Sequence, residues 1–495
     1  MNYADLFRAT LPETVLEIAA LLVLVVDLGF LRKAALKARI ASAVLVGVAG
    51  CAVALWLVYA AGWAGFGVGG DQLLAAGGSA AVAQCAILVL TVLTLLLFIG
   101  CDFTRHCGEF VAVTLMASAG GLVIAAAQDL LVIFIGLELL SLGLYILTAF
   151  AKQSGKSAEA AIKYYLFGGM SAAFLLFGFS YLYGLTGSTN LSKVMLGASL
   201  VSARGGAPLL LVAMVMIAAG LGFKVAAVPF HLWAPDTYEG APAPAAAFIA
   251  SVSKVASFAL LVAIVSAALH AFNSAAAPKF CAAWPLILII LSVASMLLGN
   301  LAALAQTSLR RLLAYSAIAH AGYILLGLAF FSWTNLSASA VLYYVITYGL
   351  TTIGAFGVVG VVERATGSDK LDAFCGLHKR NPWLAAVLLI FFLSLAGIPP
   401  LVGFWAKFNL FAAVLAAGDG PVALALVALA IAFSAVSLYY YLQVLKRAYV
   451  LPAVDESPIR AHPVTLVVLV LIAAAVVLLG CFPALLQSWI ASFYV

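Results

Sequence analysis

Four lysines stand inside stretches that are otherwise apolar: Lys163, Lys224, Lys254 and Lys407. Holding an ammonium in hydrocarbon costs roughly 3 kcal/mol on insertion scales, and residues kept there at that cost typically carry ions or protons. Among the eighteen acids, Glu138 in FIGLELLSLGLYIL is the one the pattern places deep in an apolar run. Asp129 opens that run, and the other acids fall in loops or close to helix ends. A lone carboxylate in such surroundings needs a partner, and a lysine is the partner available. Desolvation opposes the charged amine and a nearby carboxylate favours it, so a pair balanced between the two changes protonation when either member moves. His320, in LLAYSAIAHAGYIL, and His231 are candidate relays, although a single histidine serves equally well as a helix-packing group.

Each of these residues also has a plainer reading. Lys163 begins its helix and can extend its amine to an interface, as can Lys224 from a position off the centre of its span. Lys254 lies eleven residues from Ala243 and fifteen from Leu269, too deep to reach water easily, so its alternative is a structural pair with an acid. Lys407 follows Pro400 by two helical turns and could be a cation near a helix end. Glu138 could belong to a purely structural ion pair.

The lysines at 224 and 254 flank a proline-dense loop, AAVPFHLWAPDTYEGAPAP. Inside a helix the ring of Pro229 would displace the Val225 carbonyl, so a broken helix is expected there. Freed backbone at membrane depth survives only where it is buried in protein or lines a wet cavity. A second break is expected in the long run 383–417, which holds Gly397, Pro399 and Pro400 and exceeds the roughly 20 residues a straight span needs.

Composition sets the frame for these elements. The chain has 495 residues, 66% of them hydrophobic and 8% charged, too little polar surface for a soluble domain of this length. An all-α polytopic membrane protein follows, with apolar runs near 13–31, 40–61, 79–100, 108–127, 129–150, 160–184, 208–230, 243–269, 284–305, 311–332, 338–362, 383–417, 421–445 and 463–488, fourteen in all. The first run reads as a retained span rather than a cleaved leader. Loops after odd-numbered runs hold sixteen lysines and arginines, against four in the N-terminus and the other loops. That bias puts the first set in the cytoplasm and both termini outside.

The seven cysteines show no CxxC pair and no cluster spacing, which argues against iron–sulfur or zinc ligation and for small core filler. No GxGxxG follows a strand pattern and no GxxxxGK[ST] occurs, so neither a nucleotide nor a metal is expected on this chain. The net charge of +6 comes from loop lysines and arginines and needs no nucleic-acid partner. Lys224 and Lys407 each flank a broken helix, and transporters are often built from inverted halves with one discontinuous helix apiece. The expected division is three spans in 1–106, one repeat in 107–270, a second in 284–450, and a last helix in 451–495.

GFKVAAVPFHLWAPDTYEGAPAPAAAF, with EAAIKYYLFGGMSAAFLLFG before it and SLRRLLAYSAIAHAGYIL and SLAGIPPLVGFWAKFNLF after it, resembles the antiporter-like membrane chains of respiratory NADH:quinone oxidoreductase, complex I, and most of all its chain N. The resemblance covers most of the sequence and is weakest in the first hundred residues. The related large subunits of multi-subunit cation/proton antiporters share the PFHxWxPD theme and form the alternative; the LWAPDTYEGAP segment favours complex I. Ending about seven residues after its fourteenth span, the chain has no room for the long lateral helix of chain L. The resemblance implies proton translocation in a bacterial inner membrane, with no redox centre or cofactor in this chain. NADH and quinone would be used by the whole complex, and the partners would be its other membrane subunits and lipid. It also implies that Glu138 pairs with Lys224, that Lys254 relays protons along a mid-membrane axis, that Lys407 links that axis to the far side, and that Lys163 belongs to the same set.

Overall fold

The computed structural model describes residues 7–64, 73–75, 77–202, 206–272, 278–331, 335–418, 420–453 and 455–493. Arg204, counted above among the outer cations, lies outside them, as do the side chains of Lys279 and Cys281. The described residues form α-helices joined by short turns, with only isolated β-bridges between loops. In chain order the helices are α1 Leu11–Val25, extended by a π turn Val26–Phe30, α2 Leu36–Ala64, α3 Gly78–Phe98, α4 Cys107–Ala126, α5 Leu130–Thr148 and α6 Gly155–Thr186. Then come a short α7 Leu191–Val201, α8 Ala207–Val225, α9 Trp233–Gly240, α10 Ala243–Phe272, α11 Pro278–Leu304, α12 Leu309–Ala329 and α13 Asn335–Thr366. The series closes with α14 Pro382–Ala396, α15 Val402–Ala417, α16 Pro421–Tyr449, α17 Pro463–Cys481 and α18 Ala484–Ser492. Twelve of these are long and apolar enough to cross a membrane, with the halves α14 and α15 among the shorter apolar helices.

Local chemistry sets the boundaries. Asp129, Ser154, Asn190, Ser308 and Asn381 accept a first-turn amide with their side chains, the usual relief for unpaired amides at a helix start. Proline occupies the first turn of α1, α8, α14, α16 and α17, where its missing N–H costs nothing.

Both expected breaks are present, and each forms before its prolines rather than at them. Helix α8 ends with Ala226 in the left-handed region at φ 60°; the Ala226 amide donates to the Phe223 carbonyl and the Ala227 amide to Gly222. Helix α14 ends with Gly397 at φ 87°; its amide donates to Ser394 and that of Ile398 to Leu393. These are matching Schellman motifs, followed three residues later by Pro229 and Pro400. Because α8 has already ended, Pro229 does not press on the Val225 carbonyl; instead Trp233 Nε1 donates to the Phe223 carbonyl at 2.9 Å and the Val228 amide to Ser295 Oγ at 2.9 Å. The fourteenth run is also interrupted, since α17 stops at Cys481 and Pro483 precedes the separate α18.

Helix α10 lies at the centre, buried almost throughout and packed on α3, α4, α7 and α13, as its lack of a polar face requires. Around the rim, Leu21, Leu45, Ile135 and Leu166 are 63–71% exposed, an outward apolar surface suited to lipid.

Two buried carboxylates were hidden by their positions near helix ends. Glu13 is 4% exposed and accepts from Gln84 Nε2 at 3.3 Å. Asp27 is 1% exposed, takes both forks of Arg39 at 2.6 and 2.7 Å, and accepts the Gly108 amide at 3.1 Å. It ties α1 and α2 to α4. Asp27→Ala strands the Arg39 guanidinium, and losing one partner of a buried pair costs about 3 kcal/mol; thermal unfolding of the detergent-solubilised chain is expected to begin at a lower temperature than wild type.

Candidate functional site

The chemistry-bearing side chains fall into an axis through the core and an ion-pair cluster at one rim. Lys224, 7% exposed, stands in the last turn of α8 and donates to the Ser141 hydroxyl, with the Phe223 ring 5.7 Å away. Glu138 lies three residues before Ser141 on α5 and is half-buried, so the two share a helix face. Its carboxylate is close enough to act electrostatically on the Lys224 ammonium. The direct contact of that ammonium is nevertheless Ser141, which inspection of the sequence did not single out.

Lys254, in mid-α10 and 2% exposed, donates to the Ala317 carbonyl at 2.5 Å and lies 5.5 Å from the Tyr348 ring. His320, one turn along α12 from Ala317, is 4% exposed; its Nδ1 is 2.9 Å from Tyr344 Oη and its Nε2 3.4 Å from Tyr441 Oη. Tyr441 in turn bonds the Ser316 hydroxyl. His320 packs against Tyr348, the ring beside Lys254, and against Tyr323, the ring beside Lys407, which places this histidine between the two lysines. Lys407, 6% exposed on α15, crosses the second break to donate to the Ala396 carbonyl at 2.9 Å and to Ser434 Oγ at 2.8 Å. Its ammonium lies 5.4 Å from the Tyr323 ring, and Tyr323 connects through Asn300 to Tyr440. Such a run of hydroxyls and imidazole between amines can hand on protons by switching hydrogen bonds.

His231 is 7% exposed at the first break, and its Nδ1 has no protein partner. It stands apart from the contacts of His320 described above. Lys163 is also apart from the axis. It pairs with Glu159 at 2.7 Å and Asp236 at 2.8 Å while 40% exposed. Asp236 also binds Arg311 at 2.7 Å, which reaches Glu239 at 3.0 Å, and Glu239 binds Lys156 at 2.9 Å. The LWAPDTYEGAP segment thus places two carboxylates one turn apart on α9, joining α6 to α12. Arg310, 3% exposed, bonds the Ala241 carbonyl and Glu363.

The sequence could have signalled more of this than it did. Tyr344 and Tyr348 recur one turn apart in α13, as Asp236 and Glu239 do in α9; a search confined to charged residues in apolar runs passes over both. Among the described residues no group of three or more His, Cys, Asp or Glu side chains is placed to hold a metal ion.

Residues 127–434 match the family model described as NADH:quinone oxidoreductase/Mrp antiporter, transmembrane. The chain is similar to NADH-quinone oxidoreductase subunit N 2 of Acidobacterium capsulatum, with 49% identity over 505 residues and 99% of each chain covered. Among solved structures it is similar to a chain of respiratory complex I from Thermus thermophilus, with 32% identity, a TM-score of 0.78, and 97% of this chain and 99% of that one covered. A chain of the Mrp complex from Dietzia shares the fold at a TM-score of 0.80 with 20% identity, covering 98% of this chain and 96% of that one.

Proposed function

Because the chain belongs to the NADH:quinone oxidoreductase/Mrp antiporter membrane family, we propose that it is a proton-translocating, antiporter-like subunit of an NADH:quinone oxidoreductase, working as its subunit N relatives are named. The single observation that carries this reading is the core axis, in which Lys254, His320 and Lys407 are buried and joined through hydroxyls and ring contacts between two broken helices. Redox work with NADH and quinone belongs to other parts of the complex, in a bacterial inner membrane, and the other membrane subunits and lipid surround this chain. The cation-rich loops face the cytoplasm and both termini the outside, by the bias of lysine and arginine.

Two inverted units, 107–270 and 284–450, carry the axis, with 1–106 and 451–495 flanking them. The matching Schellman breaks support this division, and so does a second matched device. The Leu130 amide donates to the Thr189 carbonyl and Leu191 to Gln128, each at 2.8 Å; the Leu309 amide donates to Asp369 and Leu371 to Thr307, each at 2.9 Å. The two braces recur at a spacing of 179–180 residues, each tying the start of one helix to the end of the next.

In the mechanism, Lys224 holds a proton under the field of Glu138 while bonded to Ser141. A change of charge beside Glu138 weakens that hold, and the proton passes toward Lys254, then through His320 and its tyrosines to Lys407, which releases it outward. Lys163, in the rim cluster, keeps α9 seated against α6 and so sets the geometry of the first break.

Lys224→Ala is expected to leave NADH oxidation partly intact while lowering the protons pumped per electron in sealed membrane vesicles; an unchanged ratio would refute the scheme. A cation/proton antiporter subunit would instead show sodium-dependent proton flux in vesicles lacking any dehydrogenase.

A further inference from the structure

Toward the start of α13, the end away from Arg364 and the cation-rich loops, a cavity of about 720 Å³ opens between α15 and α18, a size usual for small-molecule sites. Both helices pack on α13 and leave this gap beside it. Tyr343 of α13 lines the cavity; it is 1% exposed, and its hydroxyl has no hydrogen-bond partner among the described residues. Asn409 of α15 lines it too, and its buried side-chain N–H group is likewise unpaired among the described residues. Buried polar groups normally find partners, so two orphans in one cavity point to a partner from outside the chain.

The walls say what that partner is. Asn409, Ala412, Ala413 and Ala416, spaced i, i+3, i+4, i+7, turn one face of α15 to the gap, as helical periodicity requires. Facing alanines ordinarily let helices close on each other; here the gap stays open at its side, where Ala412, Ala416 and Ser488 are exposed. None of the described lining residues is charged, so neither an ion nor a phosphate is held. A buried water needs two to four polar partners, and the alanine face offers none. Both orphans can donate, so the occupant is an apolar body carrying a neutral acceptor. Depth agrees with this. The 32 residues of α13 span about 48 Å, and if the helix is centred on a hydrocarbon layer of about 30 Å, Tyr343 sits about 4 Å inside its edge. Its side chain inclines toward the helix start, which brings the hydroxyl to the level of the lipid ester groups.

We propose that this cavity is a binding site for a diacyl phospholipid, with one acyl chain laid along the alanine face of α15 and the ester carbonyl of that chain accepting from both Tyr343 Oη and Asn409 Nδ2. A carbonyl oxygen has two lone pairs, enough for the two donors. The headgroup stays outside the cavity, in keeping with its uncharged lining, so the site selects the ester linkage rather than the headgroup. The lipid fills a gap that the packing of α13, α15 and α18 leaves open, and the inference stands apart from the proton path described above.

The test places the whole assembled complex in phosphatidylethanolamine and phosphatidylglycerol vesicles doped with a diester phosphatidylcholine that carries a diazirine on one acyl chain. After irradiation, adducts are mapped by mass spectrometry. They are expected on the α13 turn that holds Ala340 and Tyr343, which is buried and borders the cavity, as well as on lipid-facing Leu166. Ala413→Trp fills the gap and is expected to remove the adduct from that turn while leaving the one at Leu166. A diether analogue, which lacks the carbonyl, is expected to label the turn about tenfold less than the diester, the worth of two neutral hydrogen bonds. Tyr343→Phe combined with Asn409→Leu is expected to bring the diester down to the diether level, with NADH oxidation showing that the complex is assembled. Absence of an adduct on the turn, or one that survives Ala413→Trp, overturns the site. Equal labelling by diester and diether overturns recognition of the ester, and if Ala413→Trp does not assemble, the double variant decides on the same grounds.

Discussion

Lys254→Ala is expected to slow proton transfer through this chain on the order of 100-fold or more, since a positioned proton carrier contributes about 10²–10⁴-fold. The amine sits in mid-α10, its hydrogen bond goes to the Ala317 carbonyl, and His320 lies one turn farther along the helix that supplies that carbonyl. An alanine methyl leaves the first break on one side and the histidine cluster on the other without a proton carrier between them. The complex itself is expected to assemble, because removing an ammonium from an apolar core also removes its desolvation cost. Lys254→Arg sharpens the result. A guanidinium keeps the positive charge but does not give up its proton at any working pH, so it too is expected to fail if proton exchange is the role, and to succeed if only the charge is needed. Proton pumping per electron in sealed vesicles, read beside NADH oxidation, decides between them.

Lys407→Ala is expected to do two things at once. Outward release of protons falls because the last amine of the axis is gone. The second break also loses its cover: the Ala396 carbonyl, at the end of α14, is bonded by Lys407 Nζ across the gap. Leaving that buried acceptor unpaired costs about 1–3 kcal/mol. Thermal unfolding of the detergent-purified complex should begin lower than in wild type, with pumping reduced in the same preparation. Lys407→Gln retains an N–H donor and carries no exchangeable charge, so it is expected to recover stability without recovering pumping. Full pumping in either variant would make Lys407 a structural cation that staples the broken helix and nothing more.

Much of the architecture was legible in the residues because the membrane imposes simple demands. A span needs a set length of apolar residues, which located the fourteen runs. Unpaired backbone needs protection, which located the two broken helices from Pro229 and from Gly397, Pro399 and Pro400. Charge in hydrocarbon is costly, which marked Lys224, Lys254 and Lys407 before any neighbour of theirs was known. The same reasoning misjudged depth near helix ends. Glu13 and Asp27 looked peripheral and are buried, because α1 packs against α2 and α4 there and Gln84 and Arg39 satisfy them. Lys163, which the resemblance set beside the axis lysines, pairs in the folded chain with Glu159 and Asp236 at the rim.

By itself the sequence determined which side chains had to be held away from water and where the helices had to break, since both follow from the cost of a charge or an open backbone group in an apolar medium. Only the tertiary structure decided what each of those side chains touches. Ser141 at Lys224, Ala317 at Lys254 and Tyr441 at His320 are brought from helices 63 to 121 residues away, and the Ala396 carbonyl reaches Lys407 from the other half of the same broken helix. Hydrogen bonds are short and directional, so no pattern along one helix could specify a partner that depends on how neighbouring helices are turned toward it.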